Sequence, residues 1–343
     1  GDVGPWSALP GATQRAGLHP LRMARLMAGK SLERYAWLSV ATGVVVLGLK
    51  TLAWYLTDSV GLLSDALEST VNIGAALVAV FALRAANRPA DAEHHFGHGK
   101  AEYLSAMVEG FLILAASAAI IATAVNRLLS PQPLEQVGIG LAISVLASVL
   151  NGLVAWILIR VGREHRSVVL VADGKHLLTD VWTSAGVVVA VGAVALTGWE
   201  RLDPIIALVV GANILWTGWG LLRDSVSGLL DERLSDEDID EVVSVLASHE
   251  SSTVHFHALQ SRAAGRQRFV SLHMLVPGSS TVRAAHDLAQ EIEDEIDARL
   301  PETVVSIHIE PLEDPRAWDD IPRGAEHPMH SSRTRFDEGP VSG

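Results

Sequence analysis

The chain has 343 residues, 49% of them apolar and only 19% charged, a balance that points to a membrane protein. It contains no cysteine, which excludes disulfides and thiolate metal sites and leaves any metal work to His, Asp, Glu and Asn. The formal net charge of −13 argues against nucleic-acid binding.

In chain order, residues 1–30 read as a polar N-terminal tail carrying Arg15, Arg22, Arg25 and Lys30. The first apolar stretch starts only near residue 36, so no cleavable signal peptide is read here. Six apolar segments follow between residues 31 and 230: Ala36–Leu56, Ser59–Leu83, Tyr103–Asn126, Gln136–Ile159, Ala172–Gly198 and Pro204–Leu222. Each is close to the ~20 residues that a helix needs to cross hydrocarbon, which predicts six transmembrane helices. The fourth is the cleanest, with no charge between Glu135 and Arg160. Basic residues cluster in the tail with Arg34, in the second-to-third loop (Arg84, Arg88, Lys100) and in the fourth-to-fifth loop (Arg160, Arg163, Arg166). The opposite loops hold Arg127 and Arg201. This asymmetry predicts a multi-pass protein of the cell's inner membrane with both termini in the cytoplasm.

Two of the segments carry polar pairs. Glu68 and Asn72 lie four apart in the second, and His176 and Asp180 lie four apart in the fifth; Asp65 and Asp173 stand three residues before each pair. On a helix these spacings put the side chains on one face. Ionisable groups at membrane depth are costly and usually line a pathway or a bound ion. Zinc-like ions take four ligands, and N and O donors suit Zn, Fe, Mn, Co and Ni. The pairs therefore predict a divalent transition-metal site on Glu68, Asn72, His176 and Asp180, with Asp65 as a further candidate carboxylate. Hydrogen bonding between helices explains a lone Asn72, but not five ionisable groups on two helices. Lys50 in the first span and Glu109 in the third receive no role, and the small residues of Ala115–Ala124 suit close helix packing.

A second cluster lies in "ADAEHHFGHGKAEY", residues 90–103, where Asp91, His94 and His98 are spaced to meet around one ion, with Glu93 and His95 as spare donors. Beyond the sixth span the composition changes. Residues 233–313 contain 15 acidic and 6 basic residues, and their pattern reads α-β-β-α-β, a small α+β cytoplasmic domain over 231–313. Ser235 is a hydroxyl N-cap followed by Asp236, Glu237 and Asp238. Strand-like runs at Thr253–Ser261 and Gln267–Val276 are joined by "RAAG", an amphipathic helix covers Val282–Leu300, and a last strand covers Val304–Ile309. His257, His273, His286, His308 and Glu310 form a candidate metal group, since strand residues two apart such as His308 and Glu310 share a face. Residues 314–343 lack periodicity and read as a disordered tail.

The segments "SVGLLSDALESTVNIGAAL", "FGHGKAE", "ADGKHLLTDVWTSAGV", "SLHMLV", "RAAHDLAQEIE" and "VSIHIEP", in this order, resemble the cation diffusion facilitator family. That resemblance implies proton-coupled export of a divalent metal across a lipid bilayer by a homodimer, and no enzymatic activity. It puts the transport site on Glu68, Asn72, His176 and Asp180 and the loop site on Asp91, His94 and His98. It puts a two-ion site at the dimer interface on His257, His273, His286, His308 and Glu310. It also implies a charge interlock between protomers at Lys100 and Asp231. Zinc members usually carry His or Asp at both second-helix positions; Glu68 and Asn72 make a harder, oxygen-richer shell. Zn²⁺ or Fe²⁺ is the favoured cargo, with Mn²⁺, Cd²⁺ and Co²⁺ open. A non-transporting metal sensor or partner subunit is the alternative; a metallohydrolase is disfavoured because no HExxH motif occurs.

Overall fold

The computed structural model describes residues 20–57, 60–130, 139–199 and 201–318. Six long helices come first: α1 (Pro20–Thr57), α2 (Val60–Ala86), α3 (Ala101–Leu129), α4 (Ile139–Glu164), α5 (Val168–Thr197) and α6 (Leu202–Leu229). Among the described residues, stretches of α1, α2, α3, α4 and α6 are long and apolar enough to cross a membrane. α5 carries Asp173, Lys175, His176 and Asp180 in its first half and an apolar run from Val181 to Thr197. Large apolar side chains such as Trp216, Leu196, Val209 and Phe81 point outwards, the reverse of a water-soluble bundle. α1 begins at Pro20, inside the stretch read as a tail, and most helices overrun the apolar segments that mark them. Hydropathy reports the hydrocarbon thickness, whereas backbone hydrogen bonding continues the helix into the interface.

The helices pair as α1 with α2, α3 with α6, and α4 with α5. Lipid supplies no hydrophobic drive between helices, so small residues and interhelical hydrogen bonds set the contacts. Ser117 of α3 donates to the Gly211 carbonyl of α6 at 2.9 Å. A Cβ on Gly174 of α5 would lie 2.7 Å from Ile159 and 3.1 Å from the Ala155 carbonyl, both on α4. Its absence lets α5 approach α4 beside the polar stretch.

The C-terminal domain contains α7 (Asp236–His249), β1 (His255–Ala264), β2 (Gln267–Val276), α8 (Val282–Arg299) and β3 (Thr303–Pro311), followed by a 3-10 turn at Pro315–Trp318. The remainder of the segment read as a disordered tail, from 319 onwards, lies outside the described residues. The sheet order is β1-β2-β3, with β1 antiparallel to β2 and β3 parallel to it through the α8 crossover. The Ser235 hydroxyl accepts from Asp238 N and the Thr281 hydroxyl from Ala284 N, so both helices start on side-chain caps. Val242, Val245 and Leu246 of α7 and Ala289, Ile292 and Ile296 of α8 cover one sheet face, packing on Phe256, Leu259, Val270, Leu272 and Met274.

Strand β1 departs from the sequence reading. It runs through Ala264 rather than ending at Ser261, and its turn is Gly265–Arg266, with Gly265 at φ 61°. The pairing shifts between His257 and Gln260, where Ala258 sits at φ 55°. This bulge lets Phe256 and Leu259, three apart and of opposite parity, both reach the core.

Three charge clusters join the two domains. Asp238, buried in α7, receives a two-pronged contact from Arg166 of the α4–α5 turn and a further bond from Arg268 of β2 at 3.2 Å. Glu102 at the start of α3 accepts from Ser167 at 2.8 Å and pairs with Arg266 of the hairpin turn at 3.3 Å. Lys100 Nζ lies 3.0 Å from Asp231, which also pairs with Arg262 at 3.0 Å. Lys100 and Asp231, the residues expected to interlock between protomers, thus also pair within one chain. The reason is proximity: Lys100 also donates to the Leu229 carbonyl at the end of α6, two residues before Asp231.

Burial works to raise the Asp238 carboxyl, but bonds from Arg166 and Arg268 outweigh it and hold the group below the usual range. A depressed carboxylate stabilises the fold fully above its unfolded value of about 3.9, and that stabilisation is lost as pH falls through the folded value. Removing one partner of a buried pair strands the other, at a cost of roughly 3 kcal/mol. Asp238→Ala should therefore lower stability by about that amount at pH 7, and the gap to the parent should close below pH ~4. Thermal unfolding of the detergent-solubilised protein across pH measures both; an undiminished midpoint at pH 7 would contradict the clasp.

Candidate functional site

The membrane cluster is built from four helices. His176 and Asp180 lie one turn apart on α5, both buried. Asn72 of α2 bridges them: its Nδ2 donates to Asp180 Oδ2 at 2.8 Å, and its Oδ1 lies 2.9 Å from His176 Nε2. Asn151 of α4 adds a second donor to Asp180 Oδ2 at 3.1 Å. Glu109 of α3 faces the other ring nitrogen, with Oε2 3.6 Å from His176 Nδ1. One turn before His176, Asp173 Oδ1 accepts from Ser39 of α1 at 3.0 Å.

The structure brings Asn72, His176 and Asp180 together. The Glu68 and Asp65 side chains lie outside the described residues. An imidazole nitrogen, a carboxylate and an amide oxygen on facing helices form a donor set suited to a borderline divalent cation. In the metal-free arrangement the same atoms satisfy one another, which meets the demand that polar groups away from water be paired.

Residue reading missed Asn151 and left Glu109 unassigned. Asn151 had a signal, since it is an amide in the otherwise cleanest apolar segment. It lacked an i, i+4 partner on its own helix, and its partner Asp180 comes from α5. Nothing in the spacing of Glu109 links it to α5; only helix packing does.

In the loop between α2 and α3, Asp91, His94 and His98 present ligand atoms within 4.8 Å of one another. Asp91 is 3.3 Å from His94 Nδ1 and 3.4 Å from His98 Nε2. The backbone N–H groups of His94 and Glu93 donate to Asp91 and hold its carboxyl below its ordinary value, so it stays ionised. The loop rests on the β1–β2 hairpin: Phe96 meets Phe269 edge-on at 5.6 Å, with Arg262 stacked over both rings.

The third cluster follows from strand register. His257 pairs with His273 and His273 with His308, so three imidazoles line up across the sheet on the face that the helices leave open. Glu310 lies 3.0 Å from His257, 3.2 Å from His273 and 3.5 Å from His308. His257, His273 and Glu310 could hold one ion, with His308 beside them, and the Trp318 ring lies 5.5 Å from that of His257. His286 is not brought to this group; it is exposed on α8, near Glu293.

Both domains match known proteins. Residues 36–230 match the family model for the cation efflux transmembrane domain, and residues 234–312 that for the cation efflux protein cytoplasmic domain. An uncharacterised transporter of Synechocystis sp. is 50% identical over 302 residues, spanning 87% of this chain and 97% of that protein. The cation-efflux pump FieF of Escherichia coli is 31% identical over 283 residues, spanning 82% of this chain and 94% of that pump. FieF of Citrobacter koseri matches at the same identity and coverage. A six-helix bundle with a polar cluster across α2 and α5, joined to a small three-stranded domain, together with these matches, identifies the chain as a cation efflux transporter of the cation diffusion facilitator family.

Proposed function

We propose that this protein exports a divalent transition-metal ion, Zn²⁺ or Fe²⁺ in preference to Mn²⁺, from the cytoplasm in exchange for protons, with both termini cytoplasmic. The observation that carries this reading is the Asn72 bridge between His176 and Asp180. A cation entering there replaces interhelical hydrogen bonds with metal–ligand bonds and so changes how α2 and α5 are tied. Glu68 completes the ligand set in this reading, with Asp65 as the reserve carboxylate.

Moving a doubly charged ion outwards against 100 mV, inside negative, costs about 4.6 kcal/mol, from roughly 2.3 per charge. Inward proton flow can supply this. A metal takes only neutral imidazole, so binding at His176 and protonation of His176 exclude each other, which is the simplest form of exchange. The Asp91–His94–His98 loop acts as a transient stop for ions at the membrane face. The C-terminal domain forms a homodimer, and metal at His257, His273, His308 and Glu310, with His286 contributed across the interface, tightens it.

Asp180→Ala should abolish metal uptake into proteoliposomes while the protein elutes and melts like the parent, because Asp180 is the one full negative charge of the α5 pair. Undiminished uptake would remove Asp180 from the site. Uptake by the parent should also fall severalfold when a ionophore collapses the pH gradient; a rate indifferent to the gradient would rule out proton exchange.

His273→Ala should weaken metal-dependent dimerisation of the full-length protein, because metal stabilises only the state that gathers its ligands. Sedimentation in detergent with and without Zn²⁺, near the dimerisation constant, reports this. The parent's dimer fraction should rise with metal and the variant's should not.

A further inference from the structure

Glu109 is a fully buried carboxylate beside the membrane cluster that the exchange reading leaves unused. It is 1% exposed, and among the described residues neither of its oxygens has a hydrogen-bond partner. Ala106 and Ile113, on the same face of α3, pack in a cluster with Ala172 of α5. The next residue, Gly110, lets α3 sit against α6: a Cβ there would lie 3.2 Å from Leu222 N. The carboxylate is thus held by two rigid helix contacts and aimed at α5.

It aims at one atom. Glu109 Oε2 lies 3.6 Å from His176 Nδ1, which also has no hydrogen-bond partner. The opposite ring nitrogen, Nε2, lies 2.9 Å from Asn72 Oδ1. The imidazole is therefore suspended between two acceptors, an amide oxygen at Nε2 and a carboxylate at Nδ1. A neutral imidazole has a single N–H. Placed on Nε2, that hydrogen serves the short contact to Asn72 and leaves Nδ1 bare beside Glu109. An ion taking the Nε2 lone pair puts the N–H on Nδ1, where Glu109 is the acceptor in place. Glu109 cannot itself join the same ion, because it faces the far edge of the ring from Asn72 and Asp180. Asp173 does not compete for this role: its Oδ1 accepts from Ser39, and among the described residues Glu109 is the carboxylate paired with His176 Nδ1.

We propose that Glu109 is a positioning residue for transport: it accepts the Nδ1–H of His176 and so presents Nε2 to the divalent cation. Carboxylates placed behind a ligating histidine fix its tautomer and ring orientation and raise its strength as a ligand, and losing one typically costs 10–100-fold in metal affinity. The inference rests on the transport-site reading above.

The test uses the full-length protein in detergent, in a background of Asp91→Ala and His273→Ala that weakens the other two clusters, with Co²⁺ as the probe and its visible absorption as the readout. Asp180→Ala should abolish Co²⁺ binding at the remaining site. Glu109→Ala should weaken it about 10–100-fold. Glu109→Gln keeps the size and an acceptor oxygen but loses the charge, and should fall between the parent and Glu109→Ala. In proteoliposomes KM should rise by a similar factor in Glu109→Ala, with a smaller change in kcat. Wild-type Co²⁺ affinity in both Glu109 variants, alongside loss in Asp180→Ala, would overturn the positioning role while sparing the site. Unchanged binding in Asp180→Ala would overturn the site and this inference with it. A loss in Glu109→Gln that merely tracks a lowered melting midpoint would also overturn it. Should Glu109→Ala fail to fold, the isosteric Glu109→Gln decides alone.

Discussion

The architecture turns on the cost of holding His176 and Asp180 where lipid surrounds the bundle. Polar groups at that depth persist only when other protein groups meet them. Asn72, Asn151 and Glu109 do so from three different helices. Much else serves this requirement. Gly174 draws α4 within reach of Asp180, and Gly110 seats α3 so that its neighbour faces the imidazole. The outward faces are largely apolar.

The C-terminal domain meets a similar demand with different means. Its helices cover one face of a three-stranded sheet, and the other carries the aligned row of His257, His273 and His308. The bulge at Ala258 is what reconciles the two faces, since it restores Leu259 to the core while His257 keeps its place in the row. Glu310 enters from the end of β3 and is nearly buried against these rings. The charge clasps at Asp238, Glu102 and Asp231 then fix this domain to one end of α3, α5 and α6. Two of the participants, Arg166 and Asp231, sit at positive φ. Such backbone strain persists only where the surroundings over-determine it.

Much of this was legible in the residues, and the limits have physical reasons. Periodicity and length marked the six long helices and both faces of the small domain. α5, whose first half carries three charges, was also recoverable from its i, i+4 pair. Pairs on one helix declare themselves because they share a period; Asn151 and Glu109 did not, since their meaning depends on which helix lies opposite. The alignment of three histidines likewise needs strand register, which spacing alone cannot supply across a bulge. Lys100 and Asp231 were recognised as partners, yet whether the pair closes within or between chains is a matter of where α6 ends.

Where the loop between α2 and α3 meets the hairpin, two glycines touch. A Cβ on Gly265 would lie 2.6 Å from the Gly99 carbonyl oxygen, and one on Gly99 would collide with the Ala264 carbonyl. The two domains therefore meet there backbone to backbone, with no side chain to act as a spacer. The evolutionary consequence is a shared constraint: neither position can accept a side chain unless the loop and the hairpin retreat together. Lineages that enlarge one should show compensating changes in the other, which ties the divergence of the transmembrane domain to that of the domain below it.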